Sequence, residues 1–407
     1  MVAAIFSVIA AAALFLNSCK EKRKDVFPDT AVVQGVRIGG LSYSQAQKKL
    51  DKYIKTVPYK FSLTVKAGEK LYNLTQADFG YVLDYAEALE KARSGFGNVE
   101  INFRPESESV RKAVGKIADG TDKKPSNAEV RKFRPFAKKR FVFKKEKSGL
   151  SMDRISLYNQ LMTFLKNRRE VGEIRTIVDT IKPQTTVREL RKRYKRLTTQ
   201  KSVSYNTENA TINMGLALNA CNGSRIDKGE TWSFNSRTGN TNSTANGYRK
   251  AEVILRKKLV QGVGGGICQA STTIFRAAVL SGMDIVERHN HHWASGYTLA
   301  GEDATIDYPS LDLKLKNRSS YPMFIESRLS GRTLEVSIYG VRSKKYDNIR
   351  MYSENYDVRY GESCKTRTCR AYIKKKKTVK TEVICTSVYS LSEYHAVRPA
   401  DSGTYAV

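Results

Sequence analysis

A glycine-rich run followed by a segment of small and apolar residues restricts the fold of this chain more than any other feature. Four of the five residues 262–266 are glycine, which readily adopts positive-φ conformations that other residues avoid. The segment 269–280 has the length and composition of a buried helix, and a Ser-Gly pair follows it. The pattern therefore predicts a tight loop that places Cys268 at the N-terminus of a helix.

A helix N-terminus suits a nucleophilic thiol. The helix dipole and the unpaired backbone N–H groups favour the thiolate of Cys268, and the same N–H groups can bind an oxyanion. A cysteine can instead be a small core residue, and a glycine run can be an ordinary turn. Nucleotide binding is not expected, because Ile267 stands where the third glycine of the dinucleotide fingerprint belongs.

A histidine cluster downstream could supply the base that a thiol nucleophile needs. Three of the four histidines are His289, His291 and His292, and on a strand the first two would share one face. A zinc site formed by these histidines and Cys268 is an alternative, but the paired Cys-x-x-Cys ligands typical of structural zinc are missing. The carboxylates that could orient an imidazole are Asp303, Asp307 and Asp312.

The charge balance predicts an anionic partner. The chain has 71 Lys and Arg against 40 Asp and Glu, a formal net charge of +31. Anionic wall polymers, a phospholipid surface and nucleic acid all fit that charge, with 131–147 and 188–196 as candidate contact segments. Nucleic acid is the least expected, because no zinc-finger, basic-zipper or RNA-binding aromatic motif accompanies the charge.

The first 18 residues carry no charge, which predicts a signal peptide or membrane anchor within 1–24. The chain is therefore expected to be extracytoplasmic and tethered to the membrane. Cys19 follows Leu-Asn-Ser and loosely resembles the lipidated cysteine of a lipoprotein, which is a second form of tether.

Hydrophobic periodicity divides the remainder into four α+β or β-rich segments. A small α+β module is predicted at 30–120, with a helix from Tyr43 to Ile54 after the N-cap Ser42, and a second, diverged module at 121–184 has a helix from Met152 to Lys166. A mixed α+β domain with the glycine run is predicted at 185–340, and a β-rich region of two to four strands at 341–407. In that last region, Cys364 and Cys369 could form a local disulfide or remain free thiols.

The residues of the 185–340 segment resemble the VanW domain, a family named after an accessory protein of vancomycin-resistance clusters. The similar motifs are Gly229–Asn235, Asn246–Tyr248, Gly264–Thr273, Glu287–His291 and Asp303–Ile306, within about Thr186 to Tyr339. Upstream, Val36–Ser42 is similar to the peptidoglycan-binding module that often precedes this domain.

The resemblance implies an exported cell-wall protein, because some VanW domains are described as cysteine L,D-transpeptidases that form 3-3 crosslinks in peptidoglycan. It would make Cys268 the nucleophile, His289 or His291 the acid and base, and Asp303 or Asp312 the orienting group, with no metal or cofactor. The implied partners are tetrapeptide stems of peptidoglycan. The substrate contacts are expected at Gly264, Gly265, Gly266, Gln269, Ser271 and Arg288.

Two other functions use the same residues. A binding or scaffolding protein linked to glycopeptide resistance would recognise stem peptides without reacting, and a wall carboxypeptidase or amidase would use water as the acceptor. An enzyme needs an accessible thiol within reach of His289 or His291, whereas a binding protein can pack Cys268 away from both.

Overall fold

The structure, a computed structural model, describes residues 26–53, 59–95, 97–255 and 258–391. The predicted anchor at 1–24 and Cys19 lie outside these residues. Within the described ranges, no helix is both long enough and apolar enough to cross a bilayer.

The α+β class predicted from the sequence is confirmed, with eight α-helices in the described residues. The helices are α1 Tyr43–Tyr53, α2 Tyr85–Ala92, α3 Ser107–Thr121, α4 Arg154–Lys166, α5 Val187–Arg193, α6 Glu208–Cys221, α7 Phe234–Thr238 and α8 Ile267–Ser281. Helix α4 begins two residues later than predicted because Asp153 is its N-cap, accepting a 2.9 Å hydrogen bond from the Ser156 N–H.

The strands are short in the first half of the chain and longer towards its end. The first twelve are β1 Val32–Val33, β2 Val36–Arg37, β3 Ser62–Ala67, β4 Lys70–Thr75, β5 Tyr81–Asp84, β6 Asn98–Val99, β7 Asn102–Pro105, β8 Glu129–Phe133, β9 Phe141–Lys144, β10 Gly149–Met152, β11 Val171–Thr176 and β12 Val178–Ile181. The others are β13 Tyr194–Val203, β14 Arg225–Ile226, β15 Thr231–Ser233, β16 Lys250–Leu255, β17 Lys258–Val263, β18 Asp284–Glu287, β19 Lys314–Lys316, β20 Met323–Ser330, β21 Thr333–Val341, β22 Asn348–Arg359, β23 Ser363–Lys374 and β24 Lys377–Ser390.

The described residues form two compact units. The first contains the described residues up to Ser126 together with Lys147–Pro183. In its main sheet β11 pairs in parallel with β3, and β3 pairs antiparallel with β4, so strands of the two predicted modules share one sheet. A core that includes Leu63, Ile117 and Leu161 lies between this sheet and helices α3 and α4. The limits of the five sequence segments remain predictions.

The second unit contains Asn127–Glu146 and the described residues from Gln184 to Leu391. Its central antiparallel sheet has the order β13-β21-β20-β14, and helix α8 packs against β13 and β21. Twelve of the fifteen residues of α8 are buried, so this helix is the centre of the core. The predicted β-rich C-terminal region forms one antiparallel sheet, β22-β23-β24.

The described cysteines, Cys221, Cys268, Cys364, Cys369 and Cys385, are all free. The first of the two alternatives for Cys364 and Cys369, a local disulfide, is therefore not formed. Both residues lie on the same strand, β23, an odd number of positions apart, which turns their side chains towards opposite faces of the sheet.

Candidate active site

The glycine run shapes the start of α8 through its backbone conformation. Gly264 has φ 88° and Gly266 has φ 95°, values that strain any residue with a Cβ. A Cβ on Gly266 would lie 2.9 Å from atoms of Ala210 and Met214. These constraints fix Cys268, the second residue of α8, whose partly buried thiol lies 3.6 Å from the Ile306 carbonyl oxygen.

His291 is the histidine that the structure brings to Cys268. Its Nδ1 lies 2.6 Å from Asp303 Oδ2, and Ser295 Oγ lies 3.1 Å from the same nitrogen. Burial lowers the pKa of His291, but hydrogen bonds to Asp303 and to Cys268 outweigh burial and raise the pKa to about 9. The imidazole is therefore held as a cation at neutral pH, beside the thiol and the buried carboxylate.

Asp303 is fully buried and is held in its ionised form. Burial raises the pKa of its carboxyl group, but the His291 hydrogen bond and the charges of His291 and Arg288 outweigh burial and lower it. The backbone N–H of His291 donates a 2.7 Å hydrogen bond to Oδ2, and Tyr389 donates one to Oδ1. The carboxylate thus fixes both the position and the ring orientation of His291.

The guanidinium of Arg288 binds protein groups behind Asp303. Its side chain is 2% exposed, and Nη2 lies 2.7 Å from Asp303 Oδ1. Its Nε donates to the Asp303 carbonyl oxygen at 2.6 Å, and Nη1 donates to Ser387 Oγ at 2.6 Å. In this geometry Arg288 supports the carboxylate and is turned away from solvent, although the sequence predicted a substrate contact.

Two further predicted contacts, Gln269 and Ser271, also bind protein groups. Gln269 Nε2 donates to Ser202 Oγ and to the Val203 carbonyl oxygen, at 2.5 and 3.0 Å. Ser271 Oγ donates to the Ala304 carbonyl oxygen at 2.6 Å. Both side chains are buried, so they fix helix α8 in the core.

The remaining predicted groups lie in other interactions. His289 Nε2 is 3.0 Å from Glu287 Oε1. Asp312 accepts hydrogen bonds from Ser233 Oγ and from the Asn235 N–H, at 2.5 and 2.9 Å, and so holds the start of α7. The histidine that interacts with Cys268 is therefore His291, and the carboxylate that binds this histidine is Asp303, one from each set of alternatives.

Tyr297 and Tyr389 are site residues that the sequence did not indicate. The Tyr297 ring packs edge-on against His291 with 6.3 Å between ring centroids, and its hydroxyl is buried near Ser295 and Thr272. Burial and the charge of Cys268 raise the pKa of Tyr297, which keeps the phenol protonated. Tyr389 lies on β24, far along the chain from the histidines, and no local pattern points to it.

No group of three or more His, Cys, Asp or Glu side chains with a metal-binding arrangement occurs in the described ranges. Residues 209–339 match the family model described as VanW like protein. The chain carries a VanW domain. This VanW domain holds Cys268, His291 and Asp303, whereas Ser387 and Tyr389 lie beyond its matched range.

Two curated proteins are similar to part of this chain. The chain is 33% identical over 127 residues to "Uncharacterized protein YoaR" of Bacillus subtilis (strain 168), which is 31% of this chain and 42% of that protein. It is 30% identical over 115 residues to "Vancomycin B-type resistance protein VanW" of Enterococcus faecalis (strain ATCC 700802 / V583), 27% of this chain and 42% of that protein. The alignments thus span less than half of each relative. No solved structure gives a significant match.

Proposed function

We propose that this chain is an extracytoplasmic cysteine acyltransferase of the cell wall that acts as an L,D-transpeptidase on peptidoglycan tetrapeptide stems. The observation that carries the proposal is that Cys268 interacts with His291, whose Nδ1 is bound by the buried Asp303. The relation to a vancomycin-resistance protein supports the cell-wall setting. The extracytoplasmic location rests on the charge-free start of the chain.

The first half-reaction would begin from a thiolate and imidazolium pair. A His291 pKa of about 9 supports this resting state at neutral pH. Cys268 Sγ attacks the carbonyl carbon that joins diaminopimelate to the terminal D-Ala, forming a C–S bond. The C–N bond then breaks, His291 gives its proton to the leaving amine, and D-Ala departs from a thioester.

The second half-reaction would use the neutral imidazole as the base. The side-chain amine of diaminopimelate on a neighbouring stem attacks the thioester carbon and gives a proton to His291. The C–S bond breaks, the Cys268 thiolate is restored, and an amide crosslink forms. Water in place of the amine would release a free carboxylate, which is the carboxypeptidase reaction.

The start of α8 offers a donor for the oxyanion formed in each step. The N–H groups of Ile267 and Gln269 donate to the Gly264 and Gly266 carbonyl oxygens, at 3.4 and 3.0 Å. No described residue accepts from the Cys268 N–H, so this amide is left for the substrate oxygen. The backbone conformation of Gly264–Gly266 thus supports catalysis because it positions the Cys268 N–H for the substrate oxyanion.

The test is incubation of the chain with tetrapeptide muropeptides of several stem types, followed by mass spectrometry. Wild type, Cys268→Ala and His291→Gln are compared, with His289→Gln as the matched histidine control. A dimer that has lost one D-Ala, made by wild type and His289→Gln alone, supports the transpeptidase. Loss of D-Ala without a dimer would favour the carboxypeptidase, and no Cys268-dependent product would favour the binding role.

A further inference from the structure

A cavity of about 710 Å³ opens in the second unit at the C-terminal end of α8. Its walls come from the helix end at Leu280–Gly282, from the loop Arg318–Tyr321, from Val341–Tyr346 and from the hairpin of β23 and β24. The end of the helix is held by the buried Arg370, whose Nη1 donates to the Met283 carbonyl oxygen at 2.6 Å. The cavity is therefore built on a fixed element of the fold.

The charged side chains that line the cavity are all cationic. None of the residues that line it is Asp or Glu. Six lining side chains are cationic, namely Arg193, Arg318, Arg342, Lys344, Lys345 and Lys380. A concave site lined by cations, without anions, concentrates anionic ligands.

Two of these cations form ion pairs with carboxylates. Arg318 Nε lies 2.9 Å from Asp284 Oδ2, and Lys380 Nζ lies 2.6 Å from Glu382 Oε2. Asp284 therefore compensates Arg318, whereas Glu382 is shared between Lys380 and the buried Arg370, whose Nη2 lies 2.5 Å from Oε1.

The other four cations keep an uncompensated charge. Arg342 donates to the Leu197 and Asp347 carbonyl oxygens, at 2.7 Å each, and these acceptors are neutral. Arg193 donates to the neutral Tyr321 hydroxyl at 2.7 Å. Lys344 and Lys345 are exposed, and among the described residues no carboxylate lies within ion-pair distance of either. The nearby Asp347 carboxylate forms an ion pair with Lys374, with 2.9 Å between Oδ1 and Nζ.

The tyrosines and serines that line the cavity suit an uncharged, hydroxylated part of a ligand. The rings of Tyr346 and Tyr372 lie 4.9 Å apart, and Tyr321 adds a third aromatic ring to the wall. The hydroxyl groups of Ser319, Ser320 and Ser343 line the same cavity. Aromatic rings pack against C–H groups, and serine hydroxyls form hydrogen bonds with oxygen atoms. These residues therefore suit a ligand in which a polyol or sugar carries the negative charge.

The cavity is separate from the Cys268 site. The two lie at opposite ends of α8, which has 15 residues, so about 20 Å of helix lies between them at 1.5 Å per residue. A group bound in the cavity is therefore too distant to be the bond that Cys268 attacks.

We propose that this cavity binds a phosphodiester-linked polyol or sugar polymer through its phosphate groups. Arginine and lysine are the residues that bind phosphate, and the four uncompensated cations exceed the charge of a single carboxylate. The concave shape admits one polymer chain, whereas a bilayer presents a flat surface. The site would hold the protein on an anionic wall polymer, and this role does not depend on the chemistry at Cys268.

The test is fluorescence anisotropy of the full chain with a labelled oligomer of poly(glycerol phosphate). The variant Lys344→Gln with Lys345→Gln is compared with Lys228→Gln with Lys250→Gln, two exposed lysines of the same unit that lie outside the basic segments and change net charge equally. Affinity is expected to fall about tenfold in the first variant and less than about twofold in the second, because only the first removes charges from the binding site. Inorganic pyrophosphate is expected to compete with the oligomer.

Three results would overturn the proposal. Equal loss in the two variants would mean diffuse attraction by the net charge, and no loss in either would place the polymer elsewhere. Binding to phosphatidylglycerol vesicles that depends on Lys344 and Lys345, without oligomer binding, would replace the polymer by a membrane surface. Alkylation of Cys268 at the wild-type rate in both variants verifies folding, and it keeps the result independent of the proposed enzyme activity.

Discussion

The phenol of Tyr389 donates a hydrogen bond to Oδ1 of Asp303 and accepts one, 2.7 Å long, from the Gly301 N–H. Tyr389 lies beyond Tyr339, the last residue of the VanW match. Ser387, on the same strand, binds Arg288 at 2.6 Å. The C-terminal sheet thus supplies two of the groups that hold the carboxylate behind His291.

We predict that Tyr389→Phe slows Cys268-dependent product formation about tenfold, the usual effect of removing a group that orients a catalytic side chain. The ring remains in its buried site, so the free energy of unfolding should fall by only about 1 kcal/mol. Turnover and urea unfolding measure the two effects. Tyr356→Phe, on the exposed part of β22, is the control, and an equal slowing in both variants would refute a positioning role for Tyr389.

Amide substitutions distinguish the roles of the two candidate orienting carboxylates, Asp303 and Asp312. Asp303→Asn should lower turnover by about a hundredfold or more, because the amide neither stabilises the imidazolium nor fixes its tautomer. Asp312→Asn should leave turnover of the folded protein unchanged but lower the free energy of unfolding by about 1 kcal/mol, because it weakens the cap of α7. Turnover and chemical unfolding of both variants decide the matter, and a slower Asp312→Asn enzyme with normal stability would reverse the assignment.

The sequence predicts the local parts of this site and misses the distant ones. The glycine run and the apolar segment after it predict α8. Both signals, glycines that allow positive φ and apolar residues that favour burial, come from residues adjacent in the sequence. The prediction that His289 and His291 share a strand face is wrong, because β18 ends at Glu287 and only His289 continues the pairing, as an isolated bridge to Thr305. The choice of Asp303 over Asp312 and the contribution of Tyr389 depend on contacts between distant segments, which residue periodicity does not encode.

The parallel pairing of β11 with β3 is another long-range feature of this kind. The register joins Val171 to Ser62 and Thr176 to Ala67. Each strand is recognisable alone by its alternation, but the pairing of one with the other is not. The two stretches therefore look like separate modules in the sequence, although they share a sheet.

The imidazole of His291 should lose its proton near pH 9 in the folded protein. The folded pKa of His291, about 9, lies above its ordinary value of 6.5, so the folded state binds the proton more tightly. Taken alone, this proton stabilises the fold fully below pH 6.5, and the stabilisation is lost as the pH rises through the folded pKa. In the proposed thiolate and imidazolium pair the proton comes from Cys268, so folding takes up no net proton and the free energy of unfolding should change little over this range.

Proton NMR of the histidine rings across this pH range measures the titration. His291→Gln should remove the signal that titrates near pH 9, whereas His289→Gln should preserve it. A wild-type protein in which no histidine ring titrates well above the ordinary pKa of 6.5 would mean that the imidazole of His291 is neutral in the folded protein.

Alkylation with iodoacetamide near neutral pH should modify Cys268 first. Cys221 is fully buried, and burial raises its pKa, so its thiol remains unreactive. Burial likewise raises the pKa of Cys364 and of Cys385. Peptide mapping by mass spectrometry should find Cys268 labelled at least about tenfold faster than Cys221, Cys364 and Cys385, because only the thiolate reacts. Faster labelling of Cys385, or an unchanged Cys268 rate in His291→Gln, would contradict the paired thiolate.

Gly266→Ala should destabilise the protein by about 2–4 kcal/mol, because strain at positive φ adds to overpacking against Ala210 and Met214. Gly229 provides the control: its φ is 77°, but a Cβ there would meet nothing within 4 Å. Gly229→Ala should therefore cost about 1 kcal/mol, the strain alone. Urea unfolding of both variants separates clash from strain, and the alkylation rate of Cys268 reports whether the start of α8 has moved. Equal destabilisation with an unchanged alkylation rate would mean that Gly266 provides only its backbone conformation, and that the close packing around it does not fix the thiol.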